Sequence, residues 1–149
     1  SSISKNGYAY AIAAIPDSDH KAAAYKRIME DSSLSNDALT STANGFLRGD
    51  VELRTPYYKP FFDSLLSMWD TRSIGMATRI VRGLYPRSLY NYGSAEGTGV
   101  SDNPSVALAQ EWLHKNPSAP SALRRLILEA QDNAHRNMIG QQFNSSLSD

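Results

Sequence analysis

Residues 21–46 constrain the fold most, because their pattern predicts two short helices and the break between them. Apolar residues of the first helix recur on one helical face, at Ala22, Tyr25, Ile28 and Met29. This pattern stops at 31–33. Ser35 or Asn36 then has the side chain that caps a second helix by accepting its free backbone N–H groups.

The second helix carries Leu39 and Ala43 and is predicted to end at Asn44–Gly45 in a left-handed turn. A pair of helices this short cannot bury its own apolar stripe. The rest of the chain should therefore supply neighbours of similar build.

The first helix pair is predicted over 17–45, with Asp17 as the N-cap of its first helix. Two more pairs are predicted over 50–85 and 102–140. The second pair begins with a wide apolar stripe made of Leu53, Tyr57, Phe61, Leu65 and Met68, flanked by Tyr58, Phe62, Leu66 and Trp69. Pro60 predicts that this helix begins or bends there. Of its five aromatic residues, at least three are expected in the core.

The third pair is predicted to open at Pro104, capped by Asp102 or Asn103, and to break at Asn116–Pro117. Its inward residues are predicted to be Val106, Ala109, Trp112 and Leu113, then Leu123, Leu126, Ile127, Ala130 and Ala134. Ser118 is the predicted cap of the last helix, with Pro120 in its first turn.

Helix-period patterns fill most of the chain, and no strand-period segment of useful length appears. The expected fold is all-α, a single domain over 1–149 built as a HEAT-like α-superhelix of antiparallel helix hairpins. Residues 86–103 are rich in glycine, serine and asparagine and are predicted to form a long loop. A frayed polar tail is expected over 141–149.

Charge and composition narrow the classes of partner. The 15 basic and 15 acidic residues balance, which removes the electrostatic argument for a nucleic acid or an anionic membrane. No apolar run approaches the roughly 20 residues that span a bilayer. Cysteine is absent, so thiolate zinc sites are excluded, and a cytoplasmic location is expected. Because the chain begins without methionine, we interpret it as a piece of a longer polypeptide.

Catalytic motifs are missing. His20, His114 and His135 do not have the H-E-x-x-H spacing that places two imidazoles on one helical face. No G-x-S-x-G elbow occurs, and the glycines at 93, 97 and 99 lack the Lys-Ser/Thr of a phosphate loop. We therefore expect no catalytic residue, metal ligand or cofactor in this chain.

Arginines at 79, 82 and 87 are among the densest basic positions, and Arg79 and Arg82 share a helix face. They are either a solvated surface or part of a concave face that holds a peptide carboxylate or carbonyl through guanidinium forks. The candidate peptide contacts are Arg79, Arg82, Arg87, Tyr57 and Tyr58.

Residues 21–46, together with NPSAPSALRRLILEAQDN at 116–133, resemble the C-terminal helical domain of bacterial aminopeptidase N, a gluzincin zinc metallopeptidase. The resemblance spans about 20–136, whereas Pro60 and the 86–103 segment depart from the family pattern. It implies a non-catalytic domain that encloses the active-site chamber of an enzyme removing N-terminal residues from peptides. The implied partners are the catalytic domain of the same polypeptide, which holds the zinc, and peptide substrates.

An isolated piece of such a superhelix should expose an apolar N-terminal face and self-associate through it. Two other function classes stay open. One is a free-standing helical-repeat adaptor that binds a partner peptide, and the other is a small all-α protein with a ligand pocket beside the helix of Tyr57–Trp69.

Overall fold

A computed structural model of the chain describes residues 4–86 and 104–133, and both stretches are helical with no strand. The helices are α1 (Lys5–Ala14), α2 (Ser18–Glu30), α3 (Asn36–Phe46), α4 (Tyr58–Thr71), α5 (Ile74–Leu84), α6 (Pro104–Lys115) and α7 (121–133). Two 3-10 turns, Val51–Leu53 and Thr55–Tyr57, lead into α4. The all-α prediction is confirmed.

The chain divides into two compact units, Ser1–Tyr85 and Pro86–Asp149. In the first unit α3 is central, because it packs against α1, α2 and α5, while α4 packs against α5. In the second unit a turn at 116–120 separates α6 from α7. The single domain over 1–149 and its three hairpins stay predictions.

Helix starts follow the local chemistry of the sequence. The Asp17 carboxylate accepts a hydrogen bond from the His20 backbone N–H at 2.7 Å, and the Ser35 hydroxyl accepts one from Ala38 at 3.1 Å. Both predicted caps are confirmed. Pro60 lies in the first turn of α4, where its missing N–H leaves no intrahelical hydrogen bond unmade, as the prediction of a helix start there requires.

Two predicted helix boundaries are wrong, the end of α3 and the start of α7. α3 continues through Gly45 to Phe46, and the only positive φ in the described backbone belongs to Gly49, at 89°. Ser118 does not cap α7, because it lies in the turn that precedes the helix. The Pro120 carbonyl instead accepts the first helical hydrogen bond, from Arg124 at 3.0 Å, so Pro120 precedes the first turn.

The core of the first unit is formed by side chains that are almost completely shielded from solvent: Ile28, Leu39, Phe61, Leu65, Ile80 and Val81. Tyr58, Phe61 and Phe62 are buried, which confirms that at least three of the five aromatic residues are core. Two predicted apolar positions lie on the surface instead, since Ala22 and Leu66 are both exposed. The buried face of α2 is Lys21, Ala24 and Ile28.

In the second unit Val106, Ala109 and Trp112 of α6 are buried, as are Leu123 and Ile127 of α7. Several predictions lie outside the described residues: the loop over 87–103 with its glycines, the caps at 102 and 103, Arg87, His135 and the tail over 141–149. Of the helices in the two described stretches, none has the length and apolar character that a bilayer crossing requires.

Candidate functional site

A groove of about 500 Å³ runs between α3 and α5 on the first unit, and we call it the α3–α5 groove. Helix α3 lines it with Thr40, Ala43 and Asn44. Helix α5 lines it with Gly75, Thr78, Arg79, Arg82 and Gly83. Its volume falls within the range of about 300–1,000 Å³ typical of ligand pockets.

Small residues shape the groove. Ala43 is buried, and a Cβ built on Gly83 would lie only 3.1 Å from the Ala43 Cβ, so the two helix backbones come close at this point. A Cβ built on Gly75 would meet nothing within 4 Å, so α5 leaves open space near its start. The groove is therefore narrow at Gly83 and open at Gly75.

Arg79 and Arg82 stand one helical turn apart on α5 and give the groove its charge. Both are exposed, and none of the described residues that line the groove is acidic. The hydroxyl of Thr78 donates to the Ile74 carbonyl at 2.7 Å, which leaves its oxygen lone pairs toward other donors. In this lining the guanidinium groups are the donors that suit an oxygen-rich anion or a carbonyl.

Of the four predicted peptide contacts that lie among the described residues, the structure brings two together. Arg79 and Arg82 share the groove, whereas Tyr57 and Tyr58 do not line it. Tyr57 is half-buried and packs on Tyr25, with ring centroids 4.7 Å apart. Tyr58 is only 6% exposed, and burial raises the pKa of its phenol. Its side chain belongs to the core, not to an accessible surface.

Sequence reasoning missed a set of cations that bind the carboxyl ends of helices. Fully buried Lys21 donates from Nζ to the carbonyls of Ala13 at 2.8 Å and Gly45 at 3.1 Å. Arg54, only 4% exposed, donates to the carbonyls of Leu47 and Gly49 just after α3. These carbonyls lie at or just beyond helix ends, where they carry partial negative charge, and that of Gly45 also accepts the Arg48 backbone N–H at 3.0 Å.

Cationic side chains also donate hydrogen bonds to carbonyls at two other helix ends. Arg72 donates to the carbonyl of Met29 at 2.7 Å, at the end of α2. Arg124 donates to the carbonyls of Leu113 and Asn116, both at 2.8 Å, at the end of α6. Of these cations, only Lys21 has a signal in the sequence that it is buried. It stands three residues before Ala24 and seven before Ile28, a spacing that places it on the buried face of α2.

No set of three histidine, aspartate or glutamate side chains within 4–86 and 104–133 is close enough to hold a metal ion. His20 binds Asp17, with Nδ1 2.7 Å from the carboxylate, and thereby completes the cap of α2. His114 is exposed in the last turn of α6. The described histidines therefore have surface and capping positions.

Known proteins include a relative of this chain, an aminopeptidase N from Streptomyces lividans. The two are 29% identical over 143 residues, which is 95% of this chain and 15% of the length of that protein. The chain is similar to part of an aminopeptidase N. No family model matches it.

Proposed function

We propose that the chain is the helical domain that covers the active-site chamber of an aminopeptidase N-type zinc peptidase, without catalytic groups of its own. The observation that carries the proposal is the similarity over 95% of the chain to an aminopeptidase N. It is supported by the all-helical fold and by the groove, whose described lining offers polar and charged groups for binding.

A HEAT-like arrangement is part of this proposal. Consecutive helices α2 and α3 are in contact, as are α4 and α5, and α3 packs on α5 across the two pairs. Stacking of neighbouring helix pairs in this way builds a continuous core with one face free for binding. In the proposed enzyme this face borders the chamber, and the α3–α5 groove contacts the distal part of a bound peptide through Arg79 and Arg82.

The remaining parts of the proposed enzyme lie outside this chain. The zinc ion and the groups that activate water would belong to the catalytic domain of the same polypeptide, and we propose a cytoplasmic location for it. Exposed side chains on α1, Tyr8 at 63% and Tyr10 at 36%, support the proposal that this surface covers or joins another apolar surface. On its own the chain would then self-associate at high concentration, whereas strictly monomeric elution would contradict it.

The gene provides the most direct test. Coding sequence upstream of Ser1 should contain H-E-x-x-H with a following glutamate and a Gly-x-Met-x-Asn segment. A start codon immediately before Ser1 would instead favour the free-standing adaptor.

A biochemical test complements it. The 149-residue chain, incubated with zinc and fluorogenic aminoacyl substrates, should release no fluorophore. Chelator-sensitive hydrolysis by this chain alone would overturn the proposal.

A further inference from the structure

Three polar side chains in the lining of the α3–α5 groove are available to a ligand. Thr40 and Asn44 of α3 and Arg79 of α5 are exposed, and within 4–86 and 104–133 their side chains form no hydrogen bond or ion pair. The hydroxyl of Thr78 differs, because it donates to the Ile74 carbonyl. A cavity with a few convergent polar groups is the usual form of a binding site.

The spacing of the two polar residues on α3 indicates what they bind. Thr40 and Asn44 stand four residues apart on the helix, which places their Cβ atoms about 5–6 Å apart on one face. An extended peptide advances about 3.3 Å per residue, so peptide groups that point the same way recur every 6.6 Å or about that. The two side chains therefore match the repeat of alternate peptide groups along an extended chain.

The chemistry of the lining suits the peptide main chain. The amide of Asn44 can accept from a main-chain N–H and donate to a main-chain carbonyl. On the opposite helix Arg79 adds donors for a carbonyl at the other edge of the peptide. Between the helices the floor is formed by the Ala43 methyl group and the Gly83 backbone, which make no polar contact with a ligand side chain.

We infer that the α3–α5 groove binds an extended peptide by its main chain, with Asn44 paired to one peptide group and Thr40 bonded to the peptide group two residues away. The affinity for a peptide then depends little on its side chains. This inference rests on the proposed function only in taking a peptide as the ligand. It adds that the contact is made with the main chain, so peptides of many sequences are accepted.

Nuclear magnetic resonance of the nitrogen-15-labelled 149-residue chain tests this inference with two blocked heptapeptides. One peptide alternates serine and alanine, and the other has the same sequence with esters in place of its central amides, which removes N–H donors without adding bulk. Both are acetylated and amidated, so neither carries a terminal charge. We expect the side-chain amide signals of Asn44, assigned by their loss in Asn44→Ala, to shift with the first peptide. The ester peptide should bind at least about threefold more weakly, as the loss of one hydrogen bond predicts.

A pair of variants shows whether Asn44 makes the contact. Asn44→Ala should weaken binding of the amide peptide by about two- to tenfold, which corresponds to one net hydrogen bond. The matched control is Asn36→Ala, the same change at an exposed asparagine of α3 that does not line the groove, and it should leave the affinity unchanged. Alanine favours the helix over asparagine, so folding should be preserved. Replacing serine by glutamine in the peptide should change the affinity by less than about twofold.

Equal binding of the amide and ester peptides, or an unchanged affinity in Asn44→Ala, would overturn the inference. Asn44 signals that do not move at millimolar peptide would also overturn it, and so would a preference of more than about tenfold for one peptide side chain. None of these measurements involves zinc or hydrolysis. A groove that binds main-chain amides in a chain with no peptidase sequence upstream would leave this inference standing and remove only the proposed function.

Discussion

The ammonium nitrogen of Lys21 donates a hydrogen bond to the carbonyl oxygen of Gly45, 3.1 Å away, although 24 residues separate them in the chain. The same nitrogen donates to Ala13 at 2.8 Å, so one side chain of α2 joins the ends of α1 and α3. Lys21 is completely buried. No carboxylate of the described residues forms an ion pair with it. The groups that stabilise its charge by direct hydrogen bonds are therefore the carbonyls at the helix ends.

Replacing Lys21 with methionine should destabilise the first unit by about 1–3 kcal/mol. The change removes the donor of the Ala13 carbonyl and leaves the Gly45 carbonyl with only backbone N–H donors such as that of Arg48, and a buried acceptor left without a partner costs about that much. Methionine has a similar length and avoids the burial of a charge, which offsets part of the loss. Urea unfolding followed by the fluorescence of Trp69, in a Trp112→Phe background, measures the effect.

The matched control is Lys26→Met, because the Lys26 side chain is 76% exposed and pairs only loosely with Glu30, at 3.9 Å. Its effect should stay within about 0.5 kcal/mol. Equal effects of the two substitutions would show that Lys21 does not stabilise the junction.

Glycine-to-alanine substitutions should have opposite effects at Gly45 and Gly75, although both residues are helical. At Gly45 an added Cβ would overlap the Tyr10 carbonyl and lie 2.8 Å from the Ala13 Cβ, so α1 and α3 would have to separate. We expect Gly45→Ala to cost at least about 1–3 kcal/mol from overpacking. At Gly75 the Cβ meets nothing within 4 Å, so alanine should stabilise the helix by about 0.5–1 kcal/mol. Thermal unfolding by circular dichroism distinguishes them, and a destabilising Gly75→Ala would contradict the described packing.

Two adjacent arginines on α7 should differ in their contribution to the second unit. Arg124 donates to two carbonyls at the end of α6, whereas Arg125 is exposed. Arg124→Gln should therefore destabilise this unit by about 1–2 kcal/mol, and Arg125→Gln by less than about 0.5 kcal/mol. Trp112 of α6 is the reporter, in a Trp69→Phe background. Similar losses for both variants would mean that the two carbonyls gain nothing from Arg124.

Stability should fall at alkaline pH because of buried tyrosines. Burial raises the pKa of Tyr25 to about 12, and it raises the pKa of Tyr57, Tyr58 and Tyr85 as well. An unfolded tyrosine ionises near pH 10. Between these values the unfolded chain has lost a proton that the folded chain keeps, so rising pH favours unfolding.

The buried lysine acts in the opposite direction. Burial, and next the charge of Arg54, lower the pKa of Lys21, so the cost of burying its charge is relieved as the pH rises. Because four tyrosines oppose one lysine, we still expect a net loss of folding stability above about pH 10. Urea unfolding between pH 8 and 11 measures the slope. Tyr25→Phe should reduce it, whereas Tyr8→Phe, at a position 63% exposed, should not. A flat profile would contradict the shielding of these phenols.

Local signals in the sequence account for most of the helices. Asp17 and Ser35 cap α2 and α3 as their side chains predict, and the proline at 60 marks the start of α4. These outcomes depend on hydrogen bonds and steric limits within a few residues. Where two local signals compete, sequence is less decisive. Serine is a favourable N-cap residue, yet Ser118 lies within the turn that follows Asn116, and the helix begins at residue 121.

By itself, then, the sequence determined an all-helical chain, the main helix starts and the pairing of arginines on one face of α5. Only the tertiary structure decided that Lys21 lies buried instead of in solvent, and that Gly45 serves the contact of α1 with α3 instead of a turn. It also placed α3 beside α5 to form the groove. The physical reason is that capping and helix propensity act between near neighbours. A buried charge, a close backbone approach and a cavity each depend on atoms from helices far apart in the chain.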